Sequence, residues 1–244
     1  LDRINVGGMA EVFRGKMAGV EGFERLVALK RILPNIAADP AFVEMFVDEA
    51  KLAVQLQHAN IAQIYELGKE HDTYFIAMEY ISGVDLRTMW DRARSRNRLL
   101  PIAMSCHIMR GVCEGLDAAH RKKDADGDPI GLVHRDVSPQ NVLVSFEGEV
   151  KVIDFGIGRT SEEAEGRHAG FSASGFGTLS FMSPERLSGE STGADVRSDV
   201  YSLGVVLYYM LTGKMPPANE PIAPERWIDR RDRSNIAIEI PRRA

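Results

Sequence analysis

The stretch "HRDVSPQN", residues 134 to 141, places His134, Arg135, Asp136 and Asn141 inside eight positions. Thirteen residues after Asn141 comes Asp154, in "VIDFGIGR". Asn141 and Asp154 offer hard oxygens of the kind that hold Mg2+ against phosphates. Asp136 is placed to accept a proton from a hydroxyl or to orient an attacking oxygen. The "VLV" that follows Asn141 reads as β-strand, so these groups sit on a loop just ahead of one.

Elements must position them. Short β-like runs occur at "EVFRGK", "RLVALKRI", "IAQIYELG" and "TYFIAMEY", separated by polar or turn-forming stretches. Between the second and third, Phe42, Met45, Phe46, Ala50, Ala53 and Leu56 recur at helical spacing, with Asp39 as a cap and Pro40 in the first turn. From about residue 84 the pattern turns helical. "IAMSCHIMRGVCEGLDAAH" predicts a long helix behind Pro101. "DVYSLGVVLYYMLTG" predicts a buried helix that stops at Gly213. A small β-rich lobe, a hinge near "EYISG" and a larger helical lobe follow.

These motifs, in this order, resemble the protein kinase family, and within it the bacterial, eukaryotic-like (Hanks-type) Ser/Thr kinases. The resemblance implies an α+β, two-lobed fold. Residues 1–81 form a small β-rich N-lobe with one main helix, and residues 82–244 a larger, mostly helical C-lobe. It implies a catalytic base at Asp136 and metal ligands at Asn141 and Asp154. Arg135 is the neighbour that pairs with a phosphorylated activation loop, and His134 and Phe155 are spine residues. Lys30, ending "VALK", is the residue that holds the α- and β-phosphates. Its partner is Glu49 on the following helix, with Glu44 as the other carboxylate nearby.

The same resemblance supplies the nucleotide pocket. "INVGGMAEVF" is similar to the glycine-rich phosphate loop, with Ile4 at its start, Asn5 at the first glycine position, Gly7 at the second, Ala10 at the third and Val12 after it. Asn at the first position tolerates positive φ better than other non-glycine residues. Met78 is the gatekeeper, Glu79 and Ile81 offer backbone groups to the adenine edge, and Asp85 faces the ribose. Val12, Ala28 and Leu143 sandwich the base. "GFGTLSFMSPERL" resembles the end of an activation segment, whose candidate modification sites are Thr160, Ser161, Ser172, Ser174, Thr178 and Ser180. Asp199, in "SDVYSLG", is the residue expected to tie down the catalytic loop.

The chain departs from the family at Ser138, where most Ser/Thr kinases carry a Lys that touches the transferring phosphate. Tyrosine kinases carry an Arg nearby instead, and that position is Gln140 here. A slow but active enzyme is the expectation, since losing one charge-assisted donor costs about 2–4 kcal/mol of transition-state stabilisation. The resemblance fades after about residue 215, so a truncated or divergent kinase domain is expected. The implied activity is ATP- and Mg2+-dependent phosphorylation of Ser and Thr on proteins, with Mn2+ as the other candidate metal. The alternative is a nucleotide-binding pseudokinase or scaffold, which Ser138 and Asn5 favour and Lys30, Glu49, Asp136, Asn141 and Asp154 oppose.

Composition agrees with a soluble globular protein: 244 residues, 44% hydrophobic and 27% charged, with a net charge of −5. That balance argues against nucleic acid or a membrane surface as partner of this segment. Protein substrates are expected, and a homodimer through autophosphorylation is a candidate assembly. Cys106 and Cys113, seven apart, read as buried thiols on one helix face, which fits a reducing cytoplasm. A membrane anchor elsewhere in a longer parent protein is compatible with this. Asp124, Asp126 and Asp128 lack the ligand set of a calcium loop and read as a surface turn.

Overall fold

The computed structural model describes residues 1–7, 9–71, 73–155, 180–187 and 195–216, apart from the side chain of Glu49. Five strands form an antiparallel sheet in the order β1-β2-β3-β5-β4. They are β1 (Asp2–Val6), β2 (Ala10–Ala18), β3 (Glu24–Ile32), β4 (Ile64–Glu70) and β5 (Thr73–Glu79). Helices α1 (Pro34–Ala37) and α2 (Pro40–Ala53) follow β3.

Strand alternation explains which residues face the interior. Side chains two apart share a face, and directly opposed residues do too. Ala28 pairs with Met78, while Lys30 pairs with Ile76 on one side and Val12 on the other. Val12, Ala28, Lys30, Ile76 and Met78 therefore lie on one face. Ala28, Ile32, Ile76 and Met78 pack there with Phe46 and Ala50 of α2 into the N-lobe core. Asp39 caps α2 as expected, accepting the Ala41 N–H at 3.0 Å, with Pro40 in the first turn.

The C-lobe holds a second sheet of β6 (Gly83–Asp85), β7 (Val142–Ser145) and β8 (Val150–Val152), with β7 central. Its described helices are α3 (Leu86–Ser95), α4 (Ile102–His120), the short α5 (Pro184–Leu187) and α6 (Val196–Thr212). Ile108, Val112 and Leu116 of α4 meet Val205, Val206 and Met210 of α6 in one core cluster, which also takes in Trp90. Gly213 ends α6 at φ 71, and a Cβ there would lie 2.9 Å from the Trp90 ring, so both backbone and packing call for glycine.

Three expectations need correction. Cys106 and Cys113 share a face of α4, but it is the solvent face: both are exposed free thiols. The buried stripe of α4 runs instead through Ser105, Ile108, Val112, Leu116 and Ala119. Helix α6 is not buried all round, since Val196, Val200 and Tyr201 are exposed. Asn5 is not a positive-φ residue; it lies in β1 opposite Val12, just past a register shift after Arg3. The Asp124 carboxylate accepts the N–H groups of Asp126 and Asp128, so it closes a surface turn.

Candidate active site

Asp199 organises the loop that carries His134, Arg135 and Asp136. It is buried on α6, and its two oxygens accept the backbone N–H groups of His134 and Arg135, each at 2.8 Å. Arg135 adopts φ 66, a left-handed conformation unusual for a side chain of its size. The Arg186 guanidinium donates to the Arg135 carbonyl on the other side of the same residue. His120, at the end of α4, contacts Asp199 through Nε2 at 2.8 Å. Burial lowers the Arg135 guanidinium from its ordinary range, with Asp199 opposing the shift.

His134 is fully buried and its ring lies 4.5 Å from Phe155, centroid to centroid. Its Nδ1 accepts the Asp136 N–H at 3.2 Å. Nε2 must then carry the proton, which it donates to the Ile153 carbonyl at 3.1 Å. One imidazole thus couples the loop of Asp136 to the segment of Asp154.

Asn141 closes the loop. A 3-10 turn, Pro139–Asn141, is headed by Ser138, whose carbonyl accepts the Asn141 N–H at 3.0 Å. The Asn141 amide nitrogen donates to the Asp136 carbonyl at 2.9 Å and to its carboxylate at 3.0 Å. With the nitrogen committed, Oδ1 is the atom Asn141 has left to offer a cation. The Ile153 N–H donates to the Asn141 carbonyl at 3.0 Å, which fixes Asp154 beside it. Asp154 has φ 54, and its Oδ1 meets the Lys30 ammonium at 2.8 Å. A carboxylate and an amide oxygen suit a hard divalent ion, so the donor set fits the metal the sequence implied. Ser138 is buried at 1% exposure, while Gln140 beside it is exposed.

The pocket residues come from both lobes. Met78 is buried at the end of β5 and shares a cavity with Ala53, Ile64, Ile76, Asp154 and Phe155. Leu143 lies on β7, between Asp85 on β6 and Lys151 on β8. Glu79 ends β5, and Ile81 is half-buried in the link to β6. Asp85 caps α3: its two oxygens accept the Thr88 N–H at 2.7 Å and the Thr88 hydroxyl at 2.6 Å. Gly7, Asn5 and Ile4 are exposed, and the Gly7 N–H donates to the Ala10 carbonyl at 2.8 Å. A Cβ on Gly7 would make only ordinary contact with the protein, 3.4 Å from the Ala10 carbonyl oxygen. Glu49 falls within α2, and Glu44 is exposed on the same helix.

Thr160, Ser161, Ser172, Ser174 and Thr178 lie outside the described residues; Ser180 is exposed. Sequence reasoning missed His120, Arg186 and Lys151. No motif marks any of them, because each is tied to a partner far away in the chain.

Comparison with known proteins places this geometry. The protein kinase domain family matches residues 2–241, past the point near 215 where the motifs fade. The tyrosine-protein kinase MasK of Myxococcus xanthus is 40% identical over 214 residues, covering 88% of this chain and 32% of that protein. The serine/threonine-protein kinase PknB of Mycobacterium tuberculosis is 36% identical over 217 residues, covering 87% of this chain and 32% of that protein. The chain thus spans about a third of the length of these curated relatives. The crystal structure of the Mycobacterium tuberculosis PknI kinase domain superposes with a TM-score of 0.66 at 28% identity, covering 94% of this chain and 80% of that one. Family match, five-stranded N-lobe sheet and helical C-lobe agree, and the chain belongs to the protein kinase domain family.

Proposed function

We propose that this chain is the catalytic domain of an ATP-dependent protein kinase that transfers the γ-phosphoryl group to Ser and Thr hydroxyls of protein substrates. The observation that carries this is the joined pair of contacts, Asn141 to Asp136 and Lys30 to Asp154, linked through the Ile153–Asn141 hydrogen bond. Asp136 would take the acceptor proton, and Lys30 would hold the α- and β-phosphates with Glu49. Asn141 and Asp154 would hold Mg2+, which neutralises phosphate charge when bound. Ile4, Asn5, Gly7 and Val12 would cover the phosphates, with the hinge of Glu79 and Ile81 beside the adenine. We put the boundary between lobes at residues 81 and 82. Among the described residues no helix is long and apolar enough to cross a membrane.

A second reading concerns the acceptor. Ser138 leaves the loop without the Lys expected of a Ser/Thr kinase, and MasK, 40% identical, is named a tyrosine kinase. Tyrosine is therefore the other acceptor to test. Radiolabelled ATP with generic protein, followed by phosphoamino-acid analysis, reads both. Phosphoserine or phosphothreonine that vanishes in Asp136→Asn supports the first reading, and phosphotyrosine alone supports the second. No incorporation above the Asp136→Asn control would overturn both.

A further inference from the structure

The Lys151 ammonium lies 2.8 Å from Oε1 and 3.0 Å from Oε2 of Glu79. Lys151 is 9% exposed on β8, three residues before Asp154. Directly opposite it on β7 stands Leu143. Opposed residues project from the same face of a sheet, so Lys151 stands beside the side chain read as the floor of the adenine site. Glu79 ends β5 at the start of the hinge.

A backbone relay runs parallel to this ion pair. The Gln63 N–H donates to the Glu79 carboxylate at 3.1 Å, and the Glu79 N–H donates to the Gln63 carbonyl at 2.8 Å. The segment just before Gln63 is stitched to β8. Ala62 N–H reaches the Val152 carbonyl at 2.9 Å, Val152 N–H reaches the Asn60 carbonyl at 2.8 Å, and the Asn60 amide reaches the Val150 carbonyl at 2.9 Å. Glu79 is the point where the hinge, the entry to β4 and the floor strand meet.

We propose that Lys151 is a positioning residue for the nucleotide: through Glu79 it fixes the spacing between the hinge and the β7–β8 floor. A largely buried ion pair adds little net stability, because desolvation opposes the Coulomb attraction. It does impose geometry, since one ammonium must reach both carboxylate oxygens. Without Lys151 the Glu79 carboxylate keeps the Gln63 N–H and turns its second oxygen toward water, moving the hinge with it. The chemistry of Asp136 and Asn141 lies on another loop and is left in place. The inference rests on the reading that the cleft takes ATP.

The test is equilibrium binding of MgATP and initial rates across ATP concentration for the wild type, Lys151→Met, Lys151→Arg, Glu79→Gln and the double variant Glu79→Gln/Lys151→Met. In Lys151→Met, ATP binding should weaken and KM rise about tenfold, the scale of coupling between sites in contact. The rate at saturating ATP should stay within about twofold. Lys151→Arg should retain most of the affinity. The losses in Glu79→Gln and Lys151→Met should not add in the double variant, because they remove one interaction. Wild-type affinity in folded Lys151→Met, a fall in kcat at unchanged KM, or additive losses would each overturn the proposal. Should Lys151→Met fail to fold, Glu79→Gln against Lys151→Arg decides: weakened binding in the first alone supports the proposal, and equal binding in both overturns it. Wild-type protein that binds no MgATP overturns the kinase reading itself, a result distinct from all of these.

Discussion

The Asp199 carboxylate receives the Arg135 backbone N–H at 2.8 Å while Arg135 sits at φ 66. A left-handed arginine persists only where its surroundings hold it, and Asp199 holds it from one side as Arg186 does from the other. Asp199→Asn replaces one of the two accepting oxygens with an amide group that faces a donor. The variant should lose about 1.5–3 kcal/mol of stability, the range for hydrogen bonds to a charged group. Activity should fall with it, since His134 and Asp136 lose their reference point. Thermal melting and phosphotransfer measured on the same sample check this; an unchanged melting temperature speaks against the anchoring role.

Asp136→Asn should reduce phosphotransfer to a few per cent of wild type or less while leaving ATP affinity nearly intact. An amide oxygen at 136 can still accept from the Asn141 nitrogen, so the loop keeps its shape. Binding and rate measured side by side distinguish a lost base from a collapsed site.

Asp154→Ala should weaken ATP binding most when Mg2+ is present. The lost carboxylate makes the contact to Lys30 and, on the proposed reading, would supply one ligand oxygen to the metal. Titrating ATP with and without Mg2+ checks it. Equal affinity under both conditions in the wild type would show that the metal site is not used.

Ser138→Lys should raise kcat, within about ten- to a thousandfold, if the missing charge limits the reaction. The KM for ATP should move little, because the adenine pocket is untouched. Ser138 is 1% exposed, so the lysine stem must leave the packed loop to bring its ammonium to the cleft. A folded variant with unchanged or lower kcat means the site has been rebuilt around serine.

Ser183 stands where the family carries alanine, fully buried, and among the described residues its hydroxyl has no hydrogen-bond partner. An unsatisfied buried hydroxyl costs about 1–3 kcal/mol. Ser183→Ala should therefore stabilise the protein, with a rise in Tm of about 2–4 °C for each kcal/mol recovered. A lowered Tm would mean that the hydroxyl has a partner in the folded protein.

The sequence alone determined what is local. Asp39 and Pro40 announced the start of α2, Gly213 the end of α6, and the run "RLVALKRI" the strand β3. The identities and order of Lys30, Asp136, Asn141 and Asp154 were legible because each sits in a short motif whose spacing is itself the signal. Tertiary structure decided what depends on remote partners. His120 meets Asp199 across 79 residues and Lys151 meets Glu79 across 72, and no periodicity encodes such pairings. It also decided the cysteines. A seven-residue spacing puts Cys106 and Cys113 on one face of α4, but apolar groups ring much of that helix. Which face is buried was settled by the α6 and β8 surfaces that pack against Ile108 and Val112, leaving both thiols in solvent.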